Sequence, residues 1–297
     1  MPKEGIVKKR HEAVLSYEEL LLIAETAVGL GIEKIRITGG EPLVRAGIVD
    51  FLGKLSAIPG LRHLALTTNG LLLKEMAADL YKAGVQRLNV SLDSLNRQTF
   101  SEITRGGDLQ KVLAGLDAAE QAGFPPPKIN CVIMRGVNDA EILDFADMTL
   151  SHGNSIRFIE YMPAVKEDDW QRYCISGEEI LERIAGRYTL KQVDKGPFAG
   201  PSRDFRIPGA KGSIGIITAV SGHFCSECNR IRVTSTGQAK GCLFADAKTD
   251  LMPWLRPPDR KGLAEVLKVI VATKPERHDI SQAGYTHTNF TMSQVGG

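Results

Sequence analysis

The chain has 297 residues, 43% of them apolar and 24% charged, and its 37 basic and 35 acidic residues leave a formal net charge of +2. These values exclude a disordered or collagen-like polypeptide, and so small a net charge gives no support to binding nucleic acid by bulk electrostatics. With no run of 18 apolar residues and no apolar core near Met1, neither a membrane span nor a secretory signal is expected.

Helical periodicity over 17–30 leads into a strand-like run at 32–38. The same succession recurs as helix 47–57 and strand 61–67, helix 72–83 and strand 87–92, helix 109–122 and strand 128–134, helix 140–150 and strand 155–162. Short β-branched strands alternating with longer helices mark βαβ units and a parallel sheet. The expected fold class is therefore α/β. No Gly-x-Gly-x-x-Gly opens any of these helices, which favours a full or partial (β/α) barrel over a dinucleotide-binding sheet. The rhythm opens on a helix, so the first βα unit is expected to lack its strand. After about residue 165 the pattern changes. A Ser-capped helix at 176–187 precedes a Gly- and Pro-rich stretch at 195–201, an antiparallel pair at 204–207 and 212–218, a cysteine cluster and a helix at 263–271. A boundary near residue 195 divides the chain into a partial barrel, 1–195, and a C-terminal domain, 196–297.

Three of the five cysteines fall within 18 residues, which does not describe a disulfide framework and makes a reducing cytoplasm the expected setting. Cys225 and Cys228 are three apart and can grip one centre from a single turn, with Cys242 following on. Thiolates select zinc, copper(I) or iron–sulfur clusters. A structural zinc site needs four ligands; three thiolates suit a cluster with one iron left open, and zinc stays an alternative. Arg230 and Arg232 share a strand face just beyond, as a solvated face or as an anion site. Thr38-Gly-Gly-Glu-Pro42 and Asn69-Gly70 stand where strands hand over to helices, as ordinary turns or as points of close approach to a ligand. Ser91 and Asp93 belong either to the polar face of a strand or to the rim of a barrel. Arg36 and Lys128 interrupt apolar strands, and a buried charge requires an anionic partner, an internal carboxylate or a ligand phosphate. Together with Arg230 and Arg232 they point to a polyanionic substrate. Cys131 and Cys174 read as ordinary buried cysteines.

Lys34-Ile-Arg-Ile-Thr-Gly-Gly-Glu-Pro-Leu43, Thr67-Thr-Asn-Gly70, Asn89-Val-Ser-Leu-Asp-Ser94, Arg157-Phe-Ile-Glu-Tyr-Met162, Phe224-Cys-Ser-Glu-Cys-Asn-Arg-Ile-Arg232 with Cys242, and the terminal Gly296-Gly297 follow one another in this order. Together they resemble the GTP 3′,8-cyclase family of radical S-adenosylmethionine enzymes, which open molybdenum cofactor biosynthesis. The resemblance implies a cytoplasmic enzyme with a TIM-like radical SAM barrel and a C-terminal iron–sulfur domain. In that family a 5′-deoxyadenosyl radical removes hydrogen from the ribose C3′ of GTP, and C3′ attacks C8 of guanine to give 3′,8-cyclo-7,8-dihydroguanosine triphosphate. Carried over residue by residue, the resemblance implies that Cys225, Cys228 and Cys242 hold a [4Fe–4S] cluster whose open iron meets the purine. Arg36, Thr67, Lys128, Arg230, Ile231 and Arg232 would contact GTP. Gly40, Ser91 and Met162 would line the S-adenosylmethionine site, and Gly296 and Gly297 would act as catalytic residues on a tail reaching the active site. An electron donor and a companion protein for the next biosynthetic step are also implied, and the family leaves room for a homodimer. Neither nucleic acid nor membrane is an expected partner.

One departure stands out. The family's Cys-x3-Cys-x2-Cys loop, which holds a second [4Fe–4S] cluster that cleaves S-adenosylmethionine, has no counterpart in this sequence. Met1-Pro2 matches the pair that commonly follows the loop's last cysteine, so the sequence is expected to start just beyond it, with its first strand missing. Two other readings stay open: a fragment that binds a cluster and GTP without making the radical, and a zinc-containing barrel enzyme acting on a phosphorylated metabolite.

Overall fold

The computed structural model describes residues 11–162, 170–194, 200–222, 225, 228–244 and 248–276. Helix α1 (Tyr17–Gly29) begins at Ser16, whose hydroxyl accepts the Glu19 amide at 3.2 Å while the Glu19 carboxylate accepts the Ser16 amide at 2.7 Å. This reciprocal pair satisfies two helix-end donors at once. The chain then alternates through β1 (Lys34–Ile37), α2 (Ile48–Ser56), β2 (His63–Thr68), α3 (Leu73–Lys82) and β3 (Arg87–Ser91). It continues through α4 (Arg97–Thr104), α5 (Leu109–Gln121), β4 (Lys128–Ile133), α6 (Ile142–Ser151) and β5 (Ser155–Glu160). Beyond lie α7 (Gly177–Ala185), β6 (Lys191–Val193), β7 (Arg203–Arg206), β8 (Ser213–Ile217), β9 (Arg232–Val233), β10 (Gln238–Lys240), β11 (Thr249–Asp250), α8 (Met252–Leu255) and α9 (Arg260–Ala272).

Eight strands form one sheet in the order β1-β2-β3-β4-β5-β8-β7-β6. The first six in that order are parallel, and β7 and β6 close the row as an antiparallel pair. Among the described residues its ends, β1 and β6, do not pair with each other, so the sheet is open there, in keeping with the partial barrel expected from the repeats. The expected antiparallel pair is present as β7 and β8. The sequence had not shown that β8 would also lie parallel to β5, carrying the sheet across residue 195. Strands β9, β10 and β11 make a separate antiparallel sheet.

Strand alternation separates the two faces of the large sheet. Leu64, Leu66, Leu88, Val90, Ile129, Cys131, Ile156, Phe158, Ile214 and Ile216 are buried on the side covered by helices. A second apolar cluster packs α1 against α9 through Ile23, Ala27, Leu263, Leu267 and Ile270, with Leu15, Ala239 and Leu251. Cys131 is buried as expected; Cys174 is half-buried, its thiol donating to the Tyr161 carbonyl at 3.5 Å.

Candidate functional site

The register fixes which side chains share the other face. Arg36 pairs with Ala65, Ala65 with Arg87, Thr67 with Asn89, and Asn89 with Lys128. Asn130 pairs with Arg157, Arg157 with Gly215, and Gly215 with Asp204. Cross-strand partners, and residues two apart on one strand, point the same way. Lys34, Arg36, Thr67, Arg87, Lys128, Arg157 and Asp204 therefore project from the side opposite the helices.

These cations are close enough to perturb one another. Burial, then the charges of Arg36, Arg157 and Arg230, brings the Lys34 ammonium down to about 8. Lys128 also falls to about 8 through burial and Arg157, with Asp204 opposing. Burial, Arg157 and Arg230 lower Arg36 to about 10. His63, beside Lys34, is lowered to about 4 by burial first and by its cationic neighbours second. Arg230 comes from the segment after Cys228, far from β1 in sequence, yet its charge reaches both Lys34 and Arg36.

Several polar atoms on this face find no partner among the described residues. Thr67 Oγ1, Arg157 Nε, Ser202 Oγ and Asp204 Oδ1 are buried without a hydrogen bond to any of them. An unmade hydrogen bond at a buried donor costs about 1–3 kcal/mol, so such atoms mark a place for a ligand or for water. Gly215 is what allows three of them to converge. A Cβ there would lie 2.3 Å from Ser202 Oγ, 2.9 Å from Asp204 Oδ1 and 3.2 Å from Arg157 Cγ.

The remaining sequence-named residues lie at the C-terminal edge of the parallel strands, where α/β folds place their sites. Gly40 follows β1, Ser91 ends β3, and Met162 lies two residues past β5. Gly39 adopts φ +151°, a conformation that L side chains rarely take, with open space beside it. Glu41 is engaged structurally: its carboxylate accepts from Leu43 N at 3.1 Å, Thr68 Oγ1 at 2.8 Å and Asn69 N at 2.7 Å, tying the turns after β1 and β2 together.

β8 runs parallel to β5, so the chain leaves it at this same edge and enters the cysteine segment. Glu160, buried at the end of β5, holds that exit. Its carboxylate accepts from Gly177 N at 2.7 Å, from Val220 N and Ser221 N at 2.8 Å each, and from the Ser221 hydroxyl. Four residues on from Ser221, Cys225 begins a turn closed by Cys228 N donating to the Cys225 carbonyl at 3.0 Å. Arg232 lies within electrostatic reach of both Cys228 and Cys242; burial and Arg230 lower it to about 10 while the two thiols oppose that shift. Burial works against ionising Cys228, but hydrogen bonds from Arg230 and the charges of Arg230 and Lys274 outweigh it and bring the thiol to about 7. All three cysteines are free and half-buried. Among the described residues no three His, Cys, Asp or Glu side chains close around a single ion. An all-sulfur donor set, with one thiol already biased toward thiolate and cations around it, fits an iron–sulfur cluster.

The structure thus brings Arg36, Thr67 and Lys128 to one face, with Arg230 reaching it electrostatically, and places Ile231 and Arg232 directly after Arg230. Gly296 and Gly297 lie outside the described residues. Lys34, Arg157 and Asp204 were not singled out from sequence. Arg157 carried the same signal as Arg36, a charge flanked by apolar strand residues in Ser155-Ile-Arg-Phe-Ile159.

Two family models match the chain: one described as Radical SAM superfamily over residues 3–149, the other as Molybdenum Cofactor Synthesis C over residues 154–280. The GTP 3′,8-cyclase of Geobacter sulfurreducens is 61% identical over 297 residues, covering 100% of this chain and 91% of that protein. The GTP 3′,8-cyclase of Alkaliphilus oremlandii is 44% identical over 298 residues, covering 100% and 92%. That of Listeria monocytogenes is 42% identical over 306 residues, covering 100% and 91%.

Proposed function

The chain belongs to the GTP 3′,8-cyclase family of radical S-adenosylmethionine enzymes, and from that premise we propose how its own residues divide the work on GTP. The observation that carries the proposal is the gathering of Lys34, Arg36, Lys128, Arg157 and Arg230 around one face that carries Asp204 as its nearby carboxylate. Such a cluster repels itself until an anion of several charges enters. The triphosphate of GTP supplies that anion. Arg36 and Lys128, with Lys34 and Arg157 beside them, hold the phosphates, and the Thr67 hydroxyl finds there the partner it lacks among the described residues. Charge-assisted hydrogen bonds of this kind contribute roughly 1.5–3 kcal/mol each.

Arg230, Ile231 and Arg232 lie against the nucleotide, between the cationic face and the thiols. Cys225, Cys228 and Cys242 hold a [4Fe–4S] cluster with one open iron for the guanine. Gly40, Ser91 and Met162 hold S-adenosylmethionine at the strand ends, with the open space beside Gly39 allowing close approach. An external one-electron donor and a second [4Fe–4S] cluster, whose Cys-x3-Cys-x2-Cys ligands this sequence does not contain, would be needed with S-adenosylmethionine to supply the radical chemistry of the family. The protein's part is to aim the ribose C3′ at the radical source and to keep water away. Gly296 and Gly297 complete the site from the C-terminal tail. The cytoplasm is the proposed location, supported by five unpaired cysteines.

Metal analysis tests the cysteine assignment. The chain reconstituted anaerobically with iron and sulfide should retain both, and Cys228→Ser should lose most of each. Zinc bound in their place, with no iron retained, would contradict the assignment.

A further inference from the structure

Helix α9 ends beside the cysteine segment. Its C-cap is Thr273, and the next residue, Lys274, reaches back to two of the residues already discussed. Lys274 Nζ donates to the Cys228 carbonyl, to Cys228 Sγ at 3.3 Å and to the Arg230 carbonyl at 3.0 Å. An ammonium has three donors, and all three are engaged. Lys268, on the same helix, shows the contrast: it pairs with Glu265 at 2.8 Å on the solvent side.

The third cysteine is tied to the same helix end. Gly241 precedes Cys242, and a Cβ on it would lie 3.1 Å from the Ile270 carbonyl and 3.6 Å from Lys274 Cγ. A side chain there would press on the Ile270 carbonyl, so the glycine eases the close approach of the Cys242 segment. The end of α9 is therefore wedged between the two ligand-bearing segments, and α9 is itself anchored on α1 through Leu263, Leu267 and Ile270.

We propose that Lys274 is a positioning residue for the sulfur centre, a role that rests on the cluster assignment above. Its two bonds to carbonyls fix the path of the chain from Cys228 to Arg230, and so the direction from which Arg230 reaches the cationic face. Its bond to Cys228 Sγ places a positive donor on a ligand sulfur. Reduction adds negative charge to a cluster, so a cationic donor at sulfur stabilises the reduced form; hydrogen bonds to the sulfurs are among the levers that set cluster potentials. Partners of the ligands also govern how firmly the metal is held.

The test compares the full chain with Lys274→Met and Lys274→Arg, each reconstituted anaerobically with iron(II) and sulfide. Bound iron is measured against a competing chelator, and the midpoint potential by dye-mediated titration. The methionine variant should hold iron roughly 10–100-fold more weakly and titrate at a more negative potential. The arginine variant, which keeps a charge and donors, should return toward the wild-type potential. Wild-type and methionine chains that both hold iron at the same potential overturn the proposal and leave the cluster assignment standing. The same holds if the arginine and methionine variants share one shifted potential. A wild-type chain that takes up no iron overturns the assignment, and the role of Lys274 with it.

Discussion

Replacing Glu160 tests how the sheet controls the entrance to the cysteine segment. The side chain is 2% exposed, and its two oxygens accept from three backbone amides, Gly177, Val220 and Ser221, as well as from the Ser221 hydroxyl. Glu160→Ala leaves those three amides without their acceptor. At the low end of the ~1–3 kcal/mol that each buried, unsatisfied donor costs, the loss is about 3 kcal/mol. Glu160→Gln keeps the volume and one carbonyl oxygen but turns an NH2 toward amide donors, for a loss of about 1–2 kcal/mol. Urea unfolding measures both values. Hydrogen exchange locates them, because the amides of Val220 and Ser221 should lose protection before those of β5. An alanine variant within about 0.5 kcal/mol of wild type, a change typical of ordinary surface positions, would refute the reasoning. Unchanged protection at residues 220–221 would refute it as well.

Further expectations concern titration. Lys34 and Lys128 both titrate near 8 without ligand, and a bound polyanion favours their charged forms. Well below pH 8 both already carry a proton, so these two lysines add no slope to GTP affinity there. Above it, binding must take up protons, and affinity should fall by up to about tenfold per pH unit for each lysine; Lys128→Met should flatten the slope in a calorimetric pH series. Burial pushes the Asp93 carboxyl up to about 6 from 3.8, against the Val132 amide that it accepts at 2.8 Å. The folded protein therefore binds the proton more tightly than the unfolded chain. That contribution is present below pH 4 and is lost as pH rises through 6. Urea unfolding of Asp93→Asn across this window should show a flatter pH dependence than wild type.

Much of the sheet was legible because strands one side of which meets helices repeat a simple pattern. The strands at 61–67 and 128–134 differ from the observed β2 and β4 by one or two residues at an end. Helix α4 was not legible, because it buries only Phe100 and its start depends on the Asn96 side chain accepting the Gln98 and Thr99 amides. Strands β9 and β11 are two residues long, too short for any period to register. At the site, Arg36 and Lys128 could be found because a charge between apolar neighbours is conspicuous. Lys34 follows Glu33 and lacked that contrast. Asp204 becomes meaningful only when β7 and β8 bring it beside Arg157 over Gly215. The contact of Lys274 with Cys228 joins residues 46 apart in sequence and leaves no local trace.

The central claim is that the polar face of the sheet, together with the segment after Cys228, binds the triphosphate of GTP. Isothermal titration of the anaerobically reconstituted chain with GTP, repeated for Arg36→Met and Arg157→Met, tests it most directly. The account predicts saturable binding that weakens with salt, and a loss of roughly 10–150-fold in affinity for each substitution, the equivalent of ~1.5–3 kcal/mol. GTP bound with unchanged affinity by both variants would contradict it.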